Sequence, residues 1–83
     1  MIKAKIEQLL KETLKPSLLQ VVDESHKHIG HTGSKEGGHY QVIIVSRAFE
    51  GKKMLEIHRM IYQALGPVKT SIHALAIKAK ASE

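Results

Sequence analysis

Imidazoles are the reactive groups this chain offers in quantity. Six of its 83 residues are histidine, and it has no cysteine. His26, His28, His31 and His39 all fall within one stretch, ESHKHIGHTGSKEGGH at 24–39, which also holds Gly30, Gly33, Gly37 and Gly38. Neutral imidazole is a common metal ligand, and its charge changes near neutral pH. No zinc pattern is complete, because structural zinc sites use four ligands, generally with thiolates among them. Two readings follow from the residues alone: a polar loop that happens to be histidine-rich, and a self-contained zinc or nickel site. Ser25 and Ser34 lie near the histidines, but Ser and His often meet in loops. With no G-x-S-x-G, no phosphate loop and no carboxylates paired in an apolar setting, an enzyme is not expected.

The other histidines sit in different surroundings. His58 is expected on the packed face of a helix, together with Leu55, Tyr62 and Leu65, with Met54 and Ile61 beside them. His73 shares one strand face with Leu75 and Ile77, at the strand's beginning. Gly30-His31-Thr32-Gly33 matches the G-x-x-G that clamps nucleic-acid backbones in KH domains. There the motif joins two helices, whereas here it falls between two strands and reads as turn glycine. The formal net charge is +5, from thirteen basic and eight acidic residues. An anionic partner is one reading of that excess, and a solvated lysine surface is the other. For nucleic acid, the candidate contacts are Arg47, Lys52, Lys53, Arg59 and Lys69. Lys52 and Lys53 stand out because cations near a helix start oppose its dipole.

The elements that position these groups are legible from periodicity. Ile2, Ile6, Leu9, Leu10 and Leu14 recur at spacings of three and four, predicting a helix over 2–14 that Pro16 stops. LLQVVDE (18–24) and HYQVIIVS (39–46) read as strands. RAFEGKK (47–53) is a turn region with room for one helical turn. A helix over 53–65 closes at Gly66-Pro67, and SIHALAIKA (71–79) is a last strand. The first two strands can pair as a hairpin, although the polar stretch 25–38 is far longer than the usual ~2–5 residues. A connection of that length points to binding. A right-handed crossover makes the second and third strands parallel. The expectation is a single α+β domain over 1–83, in the order α-β-β-α-β. Without cysteines, a signal peptide or an apolar run of roughly 18 residues, a cytoplasmic protein that does not enter membranes is expected.

Several segments together resemble the BolA family: VVDES (21–25), the loop with Gly33-Ser34, HYQVIIVS (39–46), FEGKKMLEIHRMIY (49–62) and IHALAIKA (72–79). Phe49, Gly51, Leu55, His58, Arg59 and Ile61 carry its F-x-G-x-x-x-L-x-x-H-R-x-I spacing, and His73 opens its H-A-L-A. The resemblance covers nearly the whole chain. It implies a class II KH-like fold and two roles. One is a DNA-binding transcriptional regulator of stress response and cell morphology. The other is an adaptor in iron–sulfur trafficking or sensing, which pairs with a monothiol glutaredoxin around a bridging [2Fe-2S] cluster. In that complex the glutaredoxin and its glutathione supply the thiolates, and the BolA-like protein lends His73 and a loop histidine. The position after D-E-S-x-x is His28. His26 and His31 are extra histidines, so His31 stands as an alternative second ligand. The isolated protein is expected to hold no cofactor. Gly66-Pro67 departs from a stretch that is often longer and more acidic.

Overall fold

The computed structural model describes residues 2–25 and 38–83. Its elements are helix α1 (Ile2–Leu14), strands β1 (Leu18–Asp23) and β2 (Gly38–Val45), helix α2 (Met54–Ala64) and strand β3 (Ile72–Lys80). Short 3₁₀ segments span Arg47–Phe49 and Gly66–Ser71. The boundaries agree with those read from the sequence to within one residue. The second 3₁₀ segment is an addition, and it buries Val68 just beyond the predicted helix stop.

β2 lies between β1 and β3, antiparallel to the first and parallel to the second. This is the expected α+β arrangement of one mixed sheet with helices, compatible with the class II KH-like description. On α1, Ile6, Leu10 and Leu14 recur every four residues and are buried. Lys15 then takes a positive φ of 45° and Pro16 follows, so the helix cannot continue. β2 alternates. Tyr40, Val42 and Ile44 enter the core, while His39, Gln41 and Ile43 on the opposite face are half-buried.

α2 corrects an expectation. The face read as packed carries Leu55 and Tyr62, which are 64% and 40% exposed. The buried row is Ile57, Ile61 and Ala64, continued by Leu65. His58 is half-buried rather than in the core. The helix has two apolar rows, and periodicity alone does not say which meets the sheet. The row with Tyr62 and His58 keeps two polar tips near water, and the purely aliphatic row goes inside.

Where β2 ends, a buried serine ties three elements together. Ser46 Oγ donates to the Leu14 carbonyl at 2.6 Å and accepts from the Ala48 N–H at 3.2 Å. Its backbone N–H donates to the Lys80 carbonyl at 3.1 Å. The end of α1, the first 3₁₀ turn and the end of β3 therefore meet at one residue.

Tyr40 is buried, and its phenol pKa is raised, first by desolvation and then by the nearby Asp23 carboxylate. The folded state then holds the phenolic proton more tightly than the unfolded chain does. This contribution to stability is fully present below the unfolded pKa of about 10 and is lost as pH rises through the higher folded value. Urea unfolding at pH 9 and pH 11 is expected to show a steeper alkaline loss for the wild type than for Tyr40→Phe. Equal losses would refute the assignment.

Candidate metal centre and basic surface

β2 and β3 run parallel from starts that lie side by side, and a histidine is the second residue of each. Gly38 pairs with Ile72, but His39 pairs with Ala74, so a bulge places His73 as the extra residue. Bulges re-aim side chains. Strict alternation from Leu75 and Ile77 puts His73 on the core face. Instead it is exposed, between half-buried Ile72 and the Ala74–Leu75 step. The His39 and His73 rings approach to 5.0 Å between centroids, tilted by 48°. Gly38 permits the local packing, because the Tyr40 ring lies where any side chain at 38 would project.

The D-E-S segment fixes His39 from the other side. The Asp23 carboxylate accepts from the Ser25 N–H at 2.9 Å, turning the chain at the end of β1. The Glu24 N–H donates to the His39 carbonyl at 2.7 Å, and the His39 N–H donates to Ser25 Oγ at 3.0 Å. Both backbone groups of His39 are thus held by Glu24 and Ser25. His26, His28 and His31 lie outside the described residues. His28 follows Ser25 by three positions in the sequence.

Among the described residues, no group of three or more His, Cys, Asp or Glu side chains is placed to hold a metal ion. Two imidazoles are present instead. Histidines sharing one tetrahedral metal, with metal–nitrogen bonds of about 2.0–2.1 Å, have ring centres about 5 Å apart. The His39–His73 separation is of that size. Imidazole pairs also occur on one iron of Rieske [2Fe-2S] centres, so the donor type fits such a cluster when thiolates come from elsewhere. His39 is not among the ligands that the resemblance implies. The signal that finds it is a histidine at the second position of both parallel strands.

The basic candidates are all exposed. Arg47, Lys52 and Lys53 lie in the β2–α2 connection, where Arg47 Nε is 3.5 Å from Glu50 Oε1. Lys53 precedes α2, and its backbone N–H donates to Glu56 Oε1 at 3.0 Å, which places a carboxylate at the helix's positive end. Arg59 is on the outer side of α2. Lys69 lies beyond the far end of that 11-residue helix, about 16 Å along the axis. There it lines a cleft with His73. Lys78 and Lys80, not singled out in the sequence, are exposed on β3.

With this geometry in place, comparison with known proteins gives the family. The model for BolA-like protein matches residues 10–83, and the chain belongs to the BolA-like family. It is 42% identical to the DNA-binding transcriptional regulator BolA of Escherichia coli over 78 residues, covering 93% of this chain and 72% of that protein. It is 39% identical over 83 residues to SufE-like protein 1, chloroplastic/mitochondrial, of Arabidopsis thaliana, covering 92% of this chain but only 22% of that longer protein. The solved BolA domain of SufE1 from Arabidopsis thaliana superposes with a TM-score of 0.81 at 41% identity, over 95% of this chain and 90% of that domain. Among the described residues, no helix is long and apolar enough to cross a membrane.

Proposed function

We propose that this protein pairs with a monothiol glutaredoxin and lends histidines to a bridging [2Fe-2S] cluster, as an adaptor in iron–sulfur trafficking or sensing. The observation that carries the reading is exposed His73, fixed on a strand with the His39 ring 5.0 Å away. A chain without cysteine cannot hold such a cluster by thiolates, so it complements a partner whose cysteine and glutathione supply them. His73 is the anchoring ligand. The candidates for the second imidazole are His28, His31 and His39. The strand fixes where His73 emerges, and the D-E-S clamp fixes the backbone from which the second ligand reaches. Two imidazoles on one iron raise the reduction potential relative to all-thiolate ligation.

The test is anaerobic mixing with a cluster-loaded monothiol glutaredoxin, followed by visible circular dichroism. The isolated protein is expected to be colourless. The mixture is expected to give a one-to-one complex with a changed spectrum. An unchanged spectrum would overturn the reading.

A DNA-binding regulator is the second reading, favoured by the excess of basic residues and by the similarity to the DNA-binding transcriptional regulator BolA of Escherichia coli. Arg47, Lys52, Lys53, Arg59 and Lys69 would then contact phosphates, each adding about 0.9 to the log–log salt slope on duplex DNA. Charge reversal at Lys52 and Lys53 that leaves affinity unchanged would exclude that surface.

A further inference from the structure

Two clefts beside the C-terminal end of α1 meet at a shared wall of Thr13, Leu14 and Ala48. Lys15, Ser17, Ser46 and Arg47 complete the first, of about 370 Å³. Leu9, Met60, Gln63, Ala64 and Pro67 complete the second, of about 570 Å³. Clefts of ~300–1,000 Å³ that pair apolar walls with a few placed polar groups are the usual form of a small-molecule site. One end here carries cations and hydroxyls, and the other is mainly aliphatic. Leu9 and Lys15 are six residues apart along α1, about 9 Å, so a short chain spans the two ends. Lys15 takes φ 45°, in the left-handed region, where the position after a helix usually holds glycine. Lysine at that position strains the backbone but holds a cation at the cleft.

We propose that these joined clefts bind a small aliphatic anion, with its charged head at Lys15 and Arg47 and its tail between Leu9 and Met60. Charge argues for the head. Among the described residues no carboxylate lines either cleft, and Glu50 lies only loosely against Arg47, at 3.5 Å between exposed side chains. Exposed pairs of that kind contribute little, so a ligand anion can take over the guanidinium. Ser46 Oγ is committed to Leu14 and Ala48, whereas Ser17 Oγ has only a long bond of 3.4 Å to the Val45 carbonyl. The Ser17 and Thr13 hydroxyls are therefore the polar groups that assist the two cations. The lining argues for the tail. No aromatic ring lines either cleft, so a nucleobase or other flat ring finds nothing to stack on, while Leu9, Met60, Ala64 and Pro67 suit a flexible chain. The head end is also remote from the histidine pair. His39 and Ser46 are seven residues apart along β2, about 23 Å, so the inference does not depend on cluster sharing.

The experiment titrates decanoate and decyl phosphate into the protein, with decanol and acetate as controls, all below any micelle-forming concentration, and follows backbone and methyl signals by NMR. At least one of the two anions is expected to move the signals of Leu9, Thr13, Ala48 and Met60 together and to leave His73 unmoved. The tighter of them identifies the head as carboxylate or phosphate. Decanol and acetate are expected to bind about tenfold more weakly or worse, because each lacks one end of the ligand. Lys15→Gly is expected to lose about fivefold or more in affinity with a thermal midpoint close to wild type, since glycine suits the left-handed backbone there. Met60→Glu is expected to weaken binding by placing charge on the tail. Ala48→Glu puts a carboxylate at an exposed position on the shared wall, so it is expected to abolish binding and to fold even where Met60→Glu does not. Binding of neither anion would overturn the inference, as would equal affinity for decanol. Signals moving chiefly at the exposed Met54, Leu55 and Tyr62 would show unspecific adsorption and overturn it too. Unchanged affinity in both Lys15→Gly and Ala48→Glu would do the same.

Discussion

Replacing His73 by alanine is expected to abolish the visible circular dichroism change on mixing with a cluster-loaded glutaredoxin, with no loss of fold. The side chain is exposed, so its removal opens no cavity, and the thermal midpoint is expected to stay close to wild type. Its backbone is fixed within the sheet, so no neighbouring residue can swing into its place. The second ligand is different. His28 and His31 precede His39 in the sequence between β1 and β2, so with three candidates available, substituting any one of them is expected to weaken the cluster's hold rather than eliminate it. Replacing all three together is expected to match His73→Ala. A wild-type spectrum from the His73 variant would overturn the ligand assignment and leave DNA binding as the surviving reading.

Ser46→Ala is expected to be the most destabilising of the conservative single-atom deletions. The hydroxyl is buried and serves two partners, the Leu14 carbonyl and the Ala48 N–H. Deleting it strands polar groups that cannot all reach water, at a cost of about 1–3 kcal/mol. In a domain of this size that corresponds to a fall in thermal midpoint of roughly 5–20 °C. Ser17 provides the control. Its hydroxyl reaches the Val45 carbonyl only at a long 3.4 Å and lies at the surface. Ser17→Ala is expected to change stability by no more than about 0.5 kcal/mol. Equal melting curves for the two alanine variants would show that the Ser46 junction contributes nothing special.

The order of elements was legible because each carries a clean local signal. The Ile6–Leu10–Leu14 row announces a helix, and the alternation through Tyr40, Val42 and Ile44 announces a strand with one face inside. The parallel pairing of β2 and β3 followed from the handedness of crossovers, a rule that needs only the element order. Two features were not legible. Both rows of α2 are apolar, so the choice between Leu55–Tyr62 and Ile57–Ile61 was made by what α1 and the sheet present to the helix. That is tertiary information. The second is the His39–His73 approach. It depends on a bulge at the start of β3, which shifts the register against β2 and turns His73 out of the core face. A bulge leaves no periodic trace, and strict alternation gives the opposite answer. The candidate ligands His28 and His31 fall outside the described residues, so they rest on the resemblance alone.

The clamp on His39 has an evolutionary reach. Glu24 and Ser25 hold that residue's backbone on one side of residues 26–37, and the β1–β2 ladder continues the hold. The ends of that connection are therefore joined by contacts that involve none of its own residues. Once ends are held together, doubling a connection's length costs only about 0.6 kcal/mol of closure entropy. The twelve residues between can be lengthened, shortened or rewritten while the strand register stays put. The corner behaves as a cassette. Residues there can change without any redesign of the scaffold that carries His73.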